Sequence, residues 1–348
     1  MAPTTAKQWT VEGKNGFDSL KFNEKAPVPQ LGDKDVLVKF YSASLNYRDV
    51  IIPKGKYPFP IKDGVVPGSD GAGTIEATGS RVTRFKPGDK VVTLFNQGHQ
   101  AGSLTPQALT TGIGGVVDGT FREYGAFDET GVVAIPANLN FQEASTLSCA
   151  GLTAWNALYG LESRQVKAGD WVLTQGTGGV SIFALQFAKA AGAKVIATTS
   201  SPEKAELLKK YGADHVINYK ENPNWGEEAK SLTPGQQGVQ HVVEVGGPTT
   251  MAQSLKAIMI DGVISIIGFI GGFSKEQPTF LDTLNNICTV RGLLVGSRLQ
   301  FEDMNRSIEA NDIHPVVDEK VFGLEQLKEA YEYLWDQKHF GKLTVKIA

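Results

Sequence analysis

The amino-acid sequence predicts an α/β protein in which a β-rich region is followed by a doubly wound parallel sheet. In the first 140 or so residues, glycine and proline separate short apolar or alternating segments such as 35–40, 73–77 and 89–94, which is typical of strands. From about Phe141 onward, continuous apolar segments of strand length alternate with segments of helical pattern. Such strands are buried on both faces, which indicates a parallel sheet covered by helices.

Composition narrows the class of protein. The 348 residues suffice for about two domains. A net charge of -3 without a basic cluster argues against nucleic acid as a partner. The chain has no apolar segment of membrane-spanning length and no N-terminal signal-peptide pattern, and its two cysteines cannot form a disulfide framework. We therefore expect a cytoplasmic protein that binds neither nucleic acid nor membrane.

The most informative segment is 176–181, Gly-Thr-Gly-Gly-Val-Ser. A predicted strand, 170–174, precedes it, and a predicted helix, 182–191, and a second strand, 193–199, follow it. This order suits a dinucleotide, since glycines let the backbone approach the pyrophosphate and free amides at a helix N-terminus bind its charge. The alternative is a purely structural glycine turn. We interpret the segment as pyrophosphate-binding, through Gly176, Thr177, Gly178, Gly179 and Val180.

Further elements follow in chain order. A long loop rich in glycine, glutamine and threonine occupies 96–120, and Pro202 at a first helical position predicts a helix over 202–211. The remaining predicted elements are strands at 241–245, 263–267 and 289–295, a helix at 324–337, and a last strand at 341–347 that returns to the first domain.

Five segments together resemble the medium-chain dehydrogenase/reductase superfamily. They are residues 67–73, 86–91, the glycine turn, 190–193 and 211–214. The resemblance covers nearly the whole chain. It implies a GroES-like catalytic domain formed by 1–149 and 297–348, and a Rossmann dinucleotide-binding domain formed by 150–296.

The zinc alcohol dehydrogenases of this superfamily carry metal ligands that this chain lacks. Asn46 stands in place of a cysteine and Ser69 in place of a histidine, and only Cys149 matches a ligand. One thiolate cannot hold a catalytic zinc ion, which takes three protein ligands. The loop 96–120 matches the lobe that holds the structural zinc, yet it contains no cysteine. We expect no metal.

Because it lacks these zinc ligands, the chain resembles the zinc-free branch of the superfamily, which includes quinone oxidoreductases and zeta-crystallin. In that branch, residues matching Asn46 and Tyr57 line the nicotinamide site, and a further tyrosine often stands where this chain has Ile51. Without a metal, hydrogen-bond donors must polarise the substrate carbonyl, and our candidates are Asn46, Tyr57 and Arg48. Arg48 has the alternative of a structural ion pair with Asp49, and Tyr57 either donates a proton or shapes the pocket.

The resemblance also implies cofactor contacts outside the glycine turn. Thr153 and the segment Ile267, Gly268 and Phe269 match residues at the nicotinamide. Val245 and Gly246 border the adenosine half, and Lys342 matches a C-terminal lysine that reaches the cofactor.

The cofactor is predicted to be NADP(H). NAD-binding units place a carboxylate about 20 residues beyond the glycines, on the ribose hydroxyls, and this chain has Ser200 there. Lys204 and Tyr219 match residues that the zinc-free branch uses at the 2′-phosphate. The alternative is that Ser200 and Ser201 cap a helix, Lys204 is solvated and Tyr219 packs.

These observations predict a zinc-independent NADPH-dependent oxidoreductase that transfers hydride to a quinone, an enone or an activated carbonyl compound. Two alternatives stay open: a zinc-free alcohol or ketone dehydrogenase, and a non-catalytic, crystallin-like NADPH-binding protein. We further expect a homodimer formed through the apolar edge strand at 289–295.

Overall fold

A computed structural model of the chain describes residues 3–348, and these residues form two compact units. The first unit comprises the chain up to Leu152 together with Val295–Ala348, and the second unit is Thr153–Leu294. Among the described residues, no helix is both long enough and apolar enough to cross a lipid bilayer.

The regular elements are numbered here in chain order. The strands are β1 (Thr5–Val11), β2 (Leu20–Pro27), β3 (Asp35–Ser44), β4 (Asp70–Thr78), β5 (Lys90–Thr93), β6 (Tyr124–Asp128), β7 (Val132–Ala134), β8 (Trp171–Gln175), β9 (Lys194–Thr199), β10 (His215–Asn218), β11 (Val239–Glu244), β12 (Ile258–Ile266), β13 (Thr289–Gly292), β14 (Phe322–Gly323) and β15 (Thr344–Lys346). The α-helices are α1 (Tyr47–Ile51), α2 (Pro106–Leu109), α3 (Phe141–Ala144), α4 (Leu152–Tyr159), α5 (Gly179–Ala190), α6 (Pro202–Lys210), α7 (Trp225–Ser231), α8 (Met251–Ala257), α9 (Leu281–Asn286), α10 (Arg298–Ala310) and α11 (Leu327–Trp335).

The second unit is built on a six-stranded sheet in the order β10-β9-β8-β11-β12-β13, in which every pair is parallel. Counted within the unit, this order is 3-2-1-4-5-6, which is that of dinucleotide-binding doubly wound sheets. Val172, Leu173 and Thr174 are all fully buried. Successive strand residues point to opposite faces, so both faces are covered. The predicted α/β fold with a Rossmann sheet is confirmed.

The first unit contains a β1–β2 hairpin and a seven-stranded sheet centred on β3. One edge of β3 pairs with β4, while its other edge is shared: residues 35–39 pair with β6 and residues 42–44 pair with β15. The C-terminal segment therefore completes the sheet of the first unit. Apolar side chains on these strands, including Val36, Phe40 and Phe127, form one core cluster.

Side-chain caps explain where several helices begin. Ser201 accepts a hydrogen bond from the backbone of Lys204 at the start of α6, and Pro202 occupies the first helical position. Ser297 caps α10 in the same way through the backbone N–H of Gln300. Each cap satisfies a backbone donor that has no partner within the helix.

Several elements differ in extent from the sequence prediction, among them the last strand, which is predicted at 341–347 and observed as β15. The strand predicted at 289–295 ends at Gly292, and Val295 adopts a left-handed backbone conformation with φ 50° that no strand accommodates. The helix predicted at 324–337 is a 3₁₀ turn followed by α11. The loop 96–120 contains the short helix α2, which Thr105 caps.

Candidate active site

The polar cluster of the first unit forms where three strands meet. In the register of the sheet, Ser44 at the end of β3 lies opposite Asp70 on β4 and opposite Thr344 on β15. Asn46 lies just beyond β3, and Lys342 lies just before β15. The sheet therefore brings Asn46, Asp70 and Lys342 together although they are distant in sequence.

Lys342 is the centre of this cluster. Its ammonium donates to the carbonyl oxygen of Leu45 at 2.7 Å, to Oδ1 of Asn46 at 2.6 Å and to Oδ2 of Asp70 at 3.2 Å. Lys342 is 3% exposed and Asp70 is fully buried. A buried charge is tolerated when it is paired and hydrogen-bonded, and all three N–H groups of this ammonium are used.

The carboxylate of Asp70 is equally well satisfied. Oδ1 accepts from the hydroxyl of Ser69 at 3.1 Å, and Oδ2 accepts from Ser44 at 2.8 Å as well as from Lys342. The amide nitrogen of Asn46 donates to Oγ of Ser69 at 3.3 Å. The result is a closed network in which each side chain fixes the orientation of the next.

Arg48 lies between two aromatic rings. Its guanidinium carbon is 5.0 Å from the centroid of Tyr57 and 4.7 Å from that of Phe95. Nε donates to the hydroxyl of Tyr57 at 3.3 Å and Nη1 donates to the carbonyl of Ile113 at 2.9 Å. Nη2 lies against Gly115, where a Cβ would be only 2.7 Å away, and it has no acceptor among the described residues.

The ion pair that was the structural alternative for Arg48 is loose. Nη1 of Arg48 is 3.7 Å from Oδ1 of Asp49, and that oxygen has no hydrogen-bond partner. The other oxygen of Asp49 accepts the backbone N–H of Asn46 at 2.8 Å. Burial raises the pKa of Asp49 to about 6, although Arg48 and this N–H act in the opposite direction.

The residues at the family's zinc positions do not fit a catalytic zinc ion. Asn46 and Ser69 offer an amide and a hydroxyl, whereas such an ion binds imidazole, thiolate or carboxylate groups. Burial, and secondarily the charge of Asp70, raises the pKa of Cys149 to about 12, so this residue is a thiol. Within residues 3–348 there is no group of three or more His, Cys, Asp or Glu side chains that could hold a metal ion.

In the second unit, the glycine turn follows β8 at the carboxyl end of the parallel strands. Gly176 has φ +73°, a conformation that favours glycine, and its N–H donates to the carbonyl of Thr198 on β9. A Cβ at Gly178 would meet no heavy atom within 4 Å. Ser181, at the position of the third glycine, donates its hydroxyl to the carbonyl of Gln175 at 2.6 Å. The serine thus fastens α5 to the end of β8.

Ser200 and Tyr219 lie at the same end of the strands of this sheet, and Lys204 lies in the first turn of α6. Ser200 follows β9 and Tyr219 follows the adjacent strand β10, and the backbone N–H of Tyr219 donates to the carbonyl of Thr199 at 3.1 Å. Tyr219 is 41% exposed. The capping part of the structural alternative applies to Ser201, which caps α6, and leaves the Ser200 hydroxyl outside the cap.

The remaining predicted cofactor residues are distributed as follows. Val245 and Gly246 follow β11, and the segment Ile267–Gly268–Phe269 follows the adjacent strand β12. The two segments are joined because the N–H of Ile270 donates to the carbonyl of Val245 at 3.1 Å. Thr153 is buried in the first turn of α4. Lys342, by contrast, lies in the polar cluster of the first unit.

Sequence reasoning missed a buried polar pair, Gln175 and Glu244. Each ends a central strand at the point where the strand order reverses, which is where ligands bind in such sheets. Glu244 is fully buried and accepts from Gln175, from the backbone of Gly246 and Gly247, and from the hydroxyls of Thr250 and Ser254. A polar residue at the end of an apolar strand can indicate a functional position in the sequence. Only the strand order, however, shows that Gln175 and Glu244 are neighbours.

Comparison with known proteins gives two matching family models. Residues 32–137 match the alcohol dehydrogenase GroES-like domain, and residues 179–310 match the zinc-binding dehydrogenase family.

Three individual proteins illustrate the similarity. A zinc-type alcohol dehydrogenase-like protein of Schizosaccharomyces pombe is 50% identical over 96% of this chain and 96% of its own length. The crystal structure of a putative alcohol dehydrogenase from Sinorhizobium meliloti 1021 superposes with a TM-score of 0.90 at 39% identity, covering 99% of this chain and 100% of that one. An acryloyl-coenzyme A reductase of Metallosphaera sedula is 31% identical over 95% of this chain and 97% of its own length.

The Glu244 network yields a prediction about stability. Replacing Glu244 by Leu leaves several buried donors without an acceptor, each at a cost of about 1–3 kcal/mol. We expect the free energy of unfolding, measured by urea titration, to fall by about 3 kcal/mol or more. The control is Glu227→Leu, which breaks only the exposed pair with Lys256 and should cost about 1 kcal/mol or less. Equal losses in the two variants would contradict this role of Glu244.

Proposed function

The chain belongs to the medium-chain dehydrogenase/reductase superfamily, and we propose that it is an NADPH-dependent reductase that works without a catalytic zinc ion. It is an alcohol dehydrogenase-like oxidoreductase. The acceptor that we propose is a quinone, an enone or another activated carbonyl compound. The observation that carries the proposal is the set of donors on Asn46, Arg48 and Tyr57, of which Arg48 is buried and the other two are partly buried. Asn46 stands where the zinc enzymes have a cysteine ligand.

In this proposal the second unit holds the cofactor. The glycine turn and the N-terminus of α5 bind the pyrophosphate through backbone N–H groups. Val245 and Gly246 border the adenosine half, while Thr153 and the segment after β12 border the nicotinamide ring. A nicotinamide, when bound, supplies a hydride. The names of the relatives are compatible with this class of cofactor, since these proteins are called dehydrogenases and reductases.

The first unit supplies electrostatic stabilisation of the substrate oxygen. Nε of Arg48 donates to the Tyr57 hydroxyl, so the phenol oxygen acts as acceptor there and its own proton is left to donate elsewhere. Nη2 of Arg48 and one N–H of Asn46 have no acceptor among the described residues. Donors that are fixed before the reaction stabilise an oxygen as negative charge develops on it.

The chemistry of this donor set favours conjugated acceptors. Hydride addition to the β-carbon of an enone, or to a quinone, places charge on an oxygen that hydrogen bonds can stabilise without a Lewis acid. One relative is named for acryloyl-coenzyme A, a conjugated thioester. The second candidate function is a zinc-free alcohol or ketone dehydrogenase. The Schizosaccharomyces pombe relative is named as a zinc-type alcohol dehydrogenase-like protein, and that name supports only the alcohol dehydrogenase part of this candidate.

The proposal is tested by NADPH oxidation with a quinone, an enone and an unconjugated ketone, together with metal analysis of the purified protein. We expect turnover of the enone or quinone at less than 0.1 zinc per chain, a value that is about one tenth of a stoichiometric site. Tyr57→Phe should lower kcat by about 100-fold if its proton is donated. Tyr41→Phe is the control, because that ring stacks on Phe141 and contacts the ammonium of Lys39, and a phenylalanine ring can keep both contacts.

Two outcomes would contradict the proposal. Tight NADPH binding with no turnover of any acceptor would support the non-catalytic alternative. Stoichiometric zinc with a preference for simple alcohols would support a metal-dependent dehydrogenase.

The proposed preference for NADPH depends on the residue at position 200, which follows β9. Ser200→Glu should weaken NADPH binding by about 10-fold, equivalent to about 1.4 kcal/mol, and strengthen NADH binding. The physical reason is that a carboxylate repels the 2′-phosphate and accepts from ribose hydroxyls. Dissociation constants for both cofactors are measured by fluorescence, with Ser231→Glu on α7 as a control of equal charge. Tighter binding of NADH than NADPH by the unaltered protein would refute the assignment.

We also propose that the protein is a homodimer formed through the second unit. The strand β13 is an unpaired edge of the sheet, and such edges favour pairing. Large exposed apolar side chains accompany it in sequence: Ile260, Ile270, Phe273, Phe280, Leu281, Leu284 and Ile287.

The dimer is tested by light scattering after size-exclusion chromatography. We expect a mass of two chains for the unaltered protein and of one chain for Leu284→Glu. Leu299→Glu on α10 is the control, because Leu299 is an exposed leucine of the first unit. A monomeric unaltered protein would contradict the proposal.

A further inference from the structure

We propose that Lys342 is a positioning residue that holds the amide of Asn46 so that its second N–H group can donate to the substrate oxygen. The inference deepens the proposed function and rests on it. It assigns to Lys342 a task in the first unit in place of the contact with the cofactor that the family resemblance implies.

The first step is the orientation of the amide. A lysine ammonium can only donate, so the atom of Asn46 at 2.6 Å from Nζ must be the oxygen Oδ1. Nδ2 therefore faces the other way, where one N–H donates to Oγ of Ser69 at 3.3 Å. The second N–H has no acceptor among residues 3–348. A flipped amide would press two donors against an ammonium group.

The second step is electronic. A hydrogen bond from a charged donor is roughly twice as strong as a neutral one. By drawing electron density toward Oδ1, it polarises the amide and makes the N–H groups of Asn46 better donors. Asp70 balances the charge of Lys342 at 3.2 Å, so the buried pair polarises the amide without leaving a net charge in the core.

The third step separates this role from cofactor binding. The three N–H groups of Lys342 are all occupied, by Leu45, Asn46 and Asp70. None is left over for a cofactor phosphate or hydroxyl. Removing Lys342 should therefore affect the substrate oxygen and leave cofactor affinity nearly unchanged.

The experiment uses a charge-balanced variant, because Lys342→Met alone would strand a buried Asp70 carboxylate and threaten folding. The double variant Lys342→Met/Asp70→Asn removes both charges while the hydroxyls of Ser44 and Ser69 can still bond to residue 70. We expect kcat with the best acceptor to fall by about 10- to 100-fold, and the NADPH dissociation constant to change by less than about 2-fold. Lys7→Met/Glu325→Gln is the matched control, because it removes an exposed ion pair of the first unit outside this network and should retain most of kcat.

A double-mutant cycle distinguishes positioning from a structural effect. If Lys342 acts through Asn46, then adding Lys342→Met/Asp70→Asn to Asn46→Ala should lower kcat no further. Additive losses would overturn the proposal. An unchanged kcat with NADPH binding weakened 10-fold or more would also overturn it, in favour of the cofactor contact.

A readout without turnover keeps this inference separate from the proposed function. In protein labelled with ¹⁵N-asparagine, the side-chain resonance of Asn46 is identified by its loss in Asn46→Asp. We expect that resonance to be shifted in the unaltered protein and to move toward ordinary amide values in Lys342→Met/Asp70→Asn. No movement would overturn the inference, whereas absence of turnover in the unaltered protein would count against the proposed function alone.

Discussion

The pairing of β3 with both β4 and β15 is the constraint on which the candidate site of the first unit depends. Ser44 lies opposite Asp70 on one side and Thr344 on the other, so the register of two strand pairs fixes where the carboxylate and the ammonium meet. A slip by one residue would turn these side chains to the other face of the sheet. The position of Lys342 beside Asn46 is thus a consequence of how the C-terminal segment joins the sheet.

The second unit also contains a buried carboxylate, that of Glu244, but there only neutral donors stabilise it. Within residues 3–348 Glu244 forms no ion pair, and its carboxylate accepts five hydrogen bonds, from Gln175, two backbone amides and two hydroxyls. Gln175 in turn accepts the backbone N–H groups of Val245 and Gly246. These bonds tie together the ends of β8 and β11, the two strands between which the sheet order reverses. The edge that is proposed to receive the cofactor is therefore held rigid by a network beneath it.

The sequence predicted the fold class well because its signals are local. The strand–glycine turn–helix order around Gly176 and the apolar strands of the second unit are each recognisable from a short run of consecutive residues. The predicted parallel sheet is confirmed. The bonds of Lys342 could not be predicted in this way, since Asn46 and Lys342 are joined only by the register of β15 on β3. The same holds for Gln175 and Glu244. The end of β13 at Gly292 was missed because the apolar residues continue to Val295, whereas the extended backbone conformation ends before it.

The looseness of the Arg48–Asp49 pair is a further clue to function. At 3.7 Å, with Oδ1 unpartnered, the pair is poorer than the surrounding fully bonded network, and burial raises the pKa of Asp49 to about 6. An ionised Asp49 therefore costs stability at neutral pH, because its pKa lies above the value in an unfolded chain. A tighter pair would remove that cost, but it would also engage the guanidinium more completely. Local features that reduce stability while keeping a donor available are concentrated at functional sites, and at Arg48 the donor that stays available is Nη2.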